Sequence, residues 1–224
     1  MSDTLRLLSY NVWFVEDAQS VRMRAIGAII EQEQPDVVAL QEVTPEAELL
    51  FRASRWYSQY ASSPSGQQYY TLLFVKRSLA ATVRFSRAPF PASRQGRDLL
   101  RCTLSLGFGA SVSIGTVHAE SYAGGQTNSA ERVAQIQSAA QMMDCAPPHT
   151  AVLLGDLNWD EKSDGDLEVA LTRSASSWRD AWTQLRPRDE GFTYNSVANA
   201  SVFLATPFFS VMVLLSLLPS RSQC

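Results

Sequence analysis

Four short apolar runs in this chain end in polar side chains. LLSY leads to Asn11, VVAL to Gln41 and Glu42, SIGTV to His118, Glu120 and Ser121, and AVLLG to Asp156 and Asn158. Brought to one mouth, they supply two or three carboxylates, three amides and one imidazole. That inventory suits a hard divalent cation, Mg²⁺ with Mn²⁺ as its substitute, beside a phosphate. With so few acids, coordination positions stay open for water and substrate oxygens. Singly, each residue has a commonplace reading: Asn11 as a turn residue, Glu42 as a surface or helix-capping acid, His118 as structural, GDLN as a turn. Their order and shared setting carry the chemical reading.

The flanking pattern says what must position them. Residues 5–12 read as a strand ending in polar groups. In 21–34, Val21, Ala25, Ile29 and Ile26 fall on one helical face, and Pro35 and Asp36 stop the helix. VVALQEV (37–43) is a continuous apolar run, as in a strand covered on both faces. Thr44 and Pro45 open a further helix, as N-cap and first-turn residue. A Ser/Gly/Pro loop precedes a strand at 69–77, with 81–86 expected beside it. Segments 97–106 and 110–121 read as two strands joined by a glycine turn. Ser129 is expected to cap a helix over 129–143 carrying Val133, Ile136 and Ala140. AVLLGDLN (151–158) is another buried strand, 164–174 a short helix, and GFTYNS (191–196) a further strand or loop. Strands and helices alternate irregularly, which predicts an α/β domain with more than one packed sheet.

Composition removes other classes. Ten Phe, seven Tyr and five Trp in 224 residues exclude a disordered chain. Cys102, Cys145 and Cys224 are odd in number and far apart, which argues against a disulfide framework and for a reducing compartment. No Cys/His cluster suggests zinc. The opening MSDTLRLLSYNVWF lacks a basic region followed by an apolar run, so no signal peptide is expected. A net charge of −3 gives no global pull on nucleic acid. Arg77, Arg94 and Arg97, with Trp13 and Phe14, are the candidate local contacts.

The series LSYNVW (8–13), LQEV (40–43), GTVHAES (115–121), SAERVAQ (129–135) and LLGDLNWD (153–160) resembles the endonuclease/exonuclease/phosphatase superfamily. Within it, the HxES and SAER pairing and the NVW opening resemble the 5′-tyrosyl-DNA phosphodiesterase branch, especially its plant-like forms. The resemblance implies a DNase I-like four-layer α/β sandwich, two packed sheets flanked by helices, over residues 1–200. It implies a Mg²⁺-dependent phosphodiesterase releasing a trapped topoisomerase tyrosine from single-stranded DNA 5′ ends, in DNA repair and in the nucleus. By the same resemblance, Asn11 positions the phosphate and supports the metal, and Glu42 is the main metal ligand. Asp156 handles the attacking water and Asn158 orients the phosphate. His118 and Ser121 contact the phosphate, with Trp13 and Glu120 counted among the substrate-binding residues. Asp160 stands where family members often carry Arg, so a DNA-backbone contact is not expected there.

The resemblance stops near residue 200. The family's later Asp strand and terminal Ser-Asp-His are not found. His118 and His149 are the only histidines, and His149 lies in a loop-like CAPPHT. Gly191–Ser220 holds thirty residues without a charge, within which 202–218 read VFLATPFFSVMVLLSLL. Three readings of residues 201–224 stand side by side: a membrane anchor at the short limit for spanning, a native strand or helix of the core, or the product of an alternative transcript replacing the last strands. If inner strands are missing, the sheet is expected to keep a bare edge and the chain to be poorly soluble. Two alternatives to the tyrosyl-DNA activity stay open: a catalytically inactive truncated form, and another phosphatase, nuclease or deadenylase activity of the superfamily.

Overall fold

The computed structural model describes residues 4–81, 83–107, 110–144, 150–172, 178–189 and 211–216. Two sheets lie face to face. The first has the order β1-β2-β4-β3, from β1 (Leu7–Asn11), β2 (Val37–Val43), β3 (Tyr60–Ser62) and β4 (Tyr70–Lys76). The second has the order β5-β6-β7-β8-β10-β9. Its strands are β5 (Phe85–Pro89), β6 (Asp98–Gly107), β7 (Ala110–His118), β8 (Ala151–Asp156), β9 (Trp178–Asp180) and β10 (Val211–Ser216). On the first sheet lie α1 (Gln19–Glu33) and α2 (Pro45–Arg52), and on the second α3 (Ser129–Asp144) and α5 (Leu167–Thr172). Short helices α4 (Glu161–Asp164) and α6 (Ala181–Leu185) and a 3-10 turn at Arg55–Gln59 complete the described set.

Four layers follow from the alternation of side chains along each strand. Val37 and Ala39 of β2 meet Leu100, Ile114, Val152 and Leu154 between the sheets, while Val38 and Leu40 face Met23, Ile26, Ile30 and Phe51. Both faces of β2 are covered, which is why its sequence is continuously apolar. The second sheet does the same: Leu99, Val117 and Leu153 turn outward to Ile136, Ala140 and Met143 of α3.

Several local expectations shift. The buried face of α1 is Met23, Ile26, Gly27 and Ile30, whereas Val21 and Ile29 are exposed. Strand β5 starts at Phe85 and pairs with β6 in the second sheet, not with β4. Ser129 is the first residue of α3 rather than its cap, and its hydroxyl donates to Ser163 O at 3.0 Å. GFTYNS and His149 lie outside the described residues. Within the tail, Val211–Ser216 runs antiparallel to β8 from Asp156 to Ala151, so the edge expected to be bare beside β8 is paired. Among the described residues no helix is long and apolar enough to cross a membrane.

Thr44 caps α2 as expected, its hydroxyl accepting Ala47 N–H at 3.2 Å with Pro45 at the first position. Thr44→Ala should cost about 1 kcal/mol in a denaturant titration. Because this cap lies two residues after Glu42 and one after the end of β2, it sits where the strand gives way to the helix.

Candidate functional site

Among the described residues each sheet contains one parallel crossover. The β1–α1–β2 unit aligns Asn11 with Gln41, and the β7–α3–β8 unit aligns His118 with Asp156. All four strands end on the same side. Carboxyl ends of parallel strands are where α/β sheets bind ligands, because the side chains leave the ladder there. A buried polar link ties the two units below the mouth: Gln41 Nε2 donates to Ser9 Oγ and to Thr116 Oγ1 of the opposite sheet, both at 3.2 Å.

At the mouth, one amide holds two acids. Asn11 Nδ2 donates to Glu42 Oε1 at 2.9 Å and to Asp156 Oδ2 at 2.8 Å. Trp13 N–H donates to Asn11 Oδ1 at 2.9 Å, which fixes which way the amide points. The other carboxylate oxygens take backbone donors: Glu42 Oε2 from Phe14 N at 3.0 Å, and Asp156 Oδ1 from Asn158 N at 3.0 Å. Glu42, Trp13 and Asn158 all have positive φ, near 60°, 58° and 48°. Such non-glycine outliers persist only where surroundings over-determine them. Gly155 sits at φ 140°, and a Cβ there would lie 2.0 Å from Val117 O. Only glycine lets β8 come that close to β7 and set Asp156 beside His118.

His118 is buried, with Nε2 3.8 Å from Glu42 Oε1 and 3.9 Å from Asp156 Oδ2. Arg97 Nη1 donates to His118 Nδ1 at 2.8 Å. A guanidinium can only donate, so Nδ1 is the acceptor and the ring proton sits on Nε2, aimed at the acids. Burial first, then the Arg97 charge, pushes the imidazole well below its usual range and keeps it neutral. Burial pushes Asp156 up to about 6, against the Asn11 and Asn158 donors, with the Glu42 charge adding to the rise.

Glu42, His118 and Asp156 each offer a ligand atom, all within 4.8 Å of one another. The fit to a hard divalent cation rests on the two carboxylates that Asn11 holds side by side, Glu42 and Asp156. His118 presents an N–H rather than a lone pair and fits a phosphate oxygen better than a metal.

The other expected residues separate. Asn158 is buried beside Asp156 and donates from Nδ2 to Ala119 O at 2.9 Å, using one of two amide protons. Trp13 and Phe14 stand exposed on the rim. Glu120, expected to touch substrate, is fully buried. It accepts Ser93 Oγ, Arg94 N, Gln95 N and Gln135 Nε2 at 2.8 to 3.0 Å, and so shapes the 93–97 loop instead of facing the mouth. Ser121 Oγ donates to Gln95 Oε1 at 3.1 Å in the same loop. Arg97 lies at the mouth, whereas Arg77 follows the far end of β4, which runs antiparallel to β2 and so carries it away. Arg94 is exposed and pairs with Glu131.

Sequence reasoning missed Tyr69, whose hydroxyl lies 3.2 Å from His118 Nδ1 and accepts Arg97 Nη1 at 3.0 Å. It also missed the framework under the loop. Arg132 is fully buried on Asp164 and donates to Glu120 O and Thr127 O. The signal was present in SAER: a cation on the apolar face of a helix needs a buried partner.

Residues 8–202 match the family model described as the Endonuclease/Exonuclease/phosphatase family. Among curated proteins, "Tyrosyl-DNA phosphodiesterase 2" of Rattus norvegicus is 28% identical over 202 residues, 88% of this chain and 52% of that protein. The Homo sapiens protein of the same name is 30% identical over 141 residues, 62% of this chain. The chain thus spans about half the length of the first of these relatives. Among solved structures, truncated Caenorhabditis elegans TDP2 superposes with a TM-score of 0.79 at 22% identity, covering 95% of this chain and 84% of that one. D. rerio TDP2 complexed with single strand DNA product gives 0.79 at 24% identity, covering 96% and 84%.

Proposed function

Since this chain belongs to the endonuclease/exonuclease/phosphatase family, we propose that its mouth hydrolyses a phosphodiester with a divalent cation, Mg²⁺ in the first instance, and that the ester joins a tyrosine phenol to a single-stranded DNA 5′ end. One observation carries the reading: a single amide holds two carboxylates from different sheets together, with a neutral imidazole N–H aimed between them. The sequence likeness to tyrosyl-DNA phosphodiesterase 2 supports the substrate, and DNA repair and a nuclear location belong to the same proposal.

Glu42 and Asp156 would hold the cation, which supplies charge neutralisation to the phosphate. Asn11 keeps the two carboxylates at a fixed separation. Asp156 accepts the proton of the attacking water as its general base. His118 Nε2–H, held in that tautomer by Arg97, donates to a phosphate oxygen. Asn158 adds its remaining amide proton there, so charge developing on phosphorus meets donors that do not have to reorient. A tyrosine phenolate leaves readily, its pKa near 10 being well below that of a sugar alkoxide. The demand for a general acid is correspondingly low.

The test is release of 5′-phosphorylated product from a single-stranded 5′-tyrosyl oligonucleotide, with Mg²⁺ expected to be required and EDTA to abolish it. A folded chain that binds the metal, seen as a Mg²⁺-dependent rise in melting temperature, but releases nothing would overturn the activity and favour the catalytically inactive reading. Turnover of abasic DNA, poly(A) or an inositol phosphate in preference to the tyrosyl ester would move the substrate elsewhere in the family.

A further inference from the structure

The rim beside Glu42 carries an aromatic ledge. Trp13 is 37% exposed and Phe14 50%, two large apolar side chains on adjacent residues of the loop after β1. The ledge is tied to the catalytic set through its backbone, Trp13 N to Asn11 Oδ1 and Phe14 N to Glu42 Oε2. It is held firmly. Trp13 is locked at positive φ, Arg22 Nη2 donates to Trp13 O at 3.0 Å and also bonds Val15 O, and the Arg22 guanidinium lies 4.9 Å over the indole. Phe14 meets Tyr69 edge to face at 5.5 Å, and Tyr69 in turn reaches His118. The Arg22 guanidinium thus lies over the indole, while the side chain still keeps 37% of its surface open to solvent.

Exposed rings are ordinary on surfaces. A tryptophan held in a strained conformation, backed by a cation and bonded to the reacting centre is not explained by packing. The next residues, Glu16 and Asp17, are exposed acids, so this loop suits a neutral ring better than another phosphate.

We propose that Trp13, supported by Arg22 and continued by Phe14, stacks the first unpaired nucleobase of the 5′ end whose phosphate sits at Glu42 and Asp156. The inference rests on the phosphodiesterase reading and adds a determinant of which DNA end is taken. An aromatic plane reads the π-face common to all bases, so the site demands an unstacked base without demanding a sequence. A 5′ end held in a duplex keeps its base stacked and paired and presents nothing to the ledge.

The experiment is equilibrium binding, by fluorescence anisotropy, of short 5′-phosphorylated oligo-thymidines. One carries a normal first nucleotide and the other an abasic analogue there. Both are product-like, so no turnover is needed. The intact chain should prefer the base-bearing end by roughly tenfold or more, the range of a single base–aromatic stack. Trp13→Ala should bring the ratio close to one, and Trp13→Phe should keep most of it. Equal binding of both oligonucleotides by the intact chain overturns the proposal, as does an undiminished ratio in Trp13→Ala. If Trp13→Ala does not fold, as judged by its melt, the intact chain and Trp13→Phe decide alone. A phosphotyrosyl peptide whose binding depends on Trp13 while the oligonucleotides do not would assign the ledge to the leaving group, and so also overturn it. Hydrolysis of bis(p-nitrophenyl) phosphate with Mg²⁺ by the intact chain is read separately. Its absence counts against the phosphodiesterase reading, while the binding ratio still judges the ledge.

Discussion

Asp156→Asn should lower kcat/KM for a 5′-tyrosyl oligonucleotide by about 10³-fold, within the span expected for loss of a positioned proton acceptor. The amide oxygen can accept Asn11 Nδ2, but the amide nitrogen then faces Asn158 N–H, so one backbone bond is given up, a cost set against removal of a buried charge. Stability should move the opposite way. The carboxyl of Asp156 is pushed up to about 6 in the folded chain, above its ordinary 3.8. The folded state therefore binds this proton more tightly than the unfolded state. The contribution is most favourable below pH 3.8 and is lost as pH rises through 6. In EDTA at pH 8, Asp156→Asn should melt at a higher temperature than the parent chain, and at pH 5 the gain should shrink. Lower activity together with a lower melting temperature at pH 8 would point to general damage rather than a missing base. Active sites that hold unfavourable charge for function commonly show this opposition.

The second large effect is steric. Gly155→Ala should destabilise the chain by about 3–5 kcal/mol, combining overpacking with a side chain at positive φ. The contact it violates is with backbone, Val117 O at 2.0 Å from the new carbon, and a strand inside a sheet cannot step aside as a flexible side chain can. A domain of this size should lose about 10 °C in melting temperature. Activity should fall beyond what unfolding explains, because the displaced strands are the two that end in His118 and Asp156. A melt within about 2 °C of the parent would show that β7 and β8 are not so close.

The strand ends were readable because they combine two independent signals, an apolar run and the polar residue that terminates it. Asn11, Glu42, His118, Asp156 and Asn158 were all selected this way, and all lie together. The buried face of α1 was readable only in part: Ile26 was picked and is buried, but Met23, Gly27 and Ile30 were passed over, and one reason is visible at Gly27. A Cβ there would lie 3.0 Å from Trp56 Nε1, so the face packs through the lack of a side chain, which a search for apolar residues passes over. The sheet assignment of β5 was equally hidden, since alternation tells that a strand has two faces but not which neighbour it joins. Glu120 shows a third limit. An acid saturated by loop amides and an acid awaiting substrate look alike in sequence, and the donors that settle the matter come from residues 93–95 and 135. Arg97 was noticed as a charge, but its hold on His118 spans 21 positions and leaves no local trace.

The bond from Asn11 to Asp156 closes a separation of 145 residues. During synthesis the first sheet can assemble early, since β1 to β4 are contiguous, yet Glu42 then stands alone on its rim. Asp156 arrives much later, and its strand receives β10 as a neighbour only when residues 211–216 have left the ribosome. Such distant pairings are slow to form. A nascent or half-folded chain of this kind therefore carries no assembled pair of acids, and the proposed hydrolysis has to wait until both sheets have docked. Catalytic competence here is a late event in folding, and its appearance could serve as a clock for docking of the two sheets.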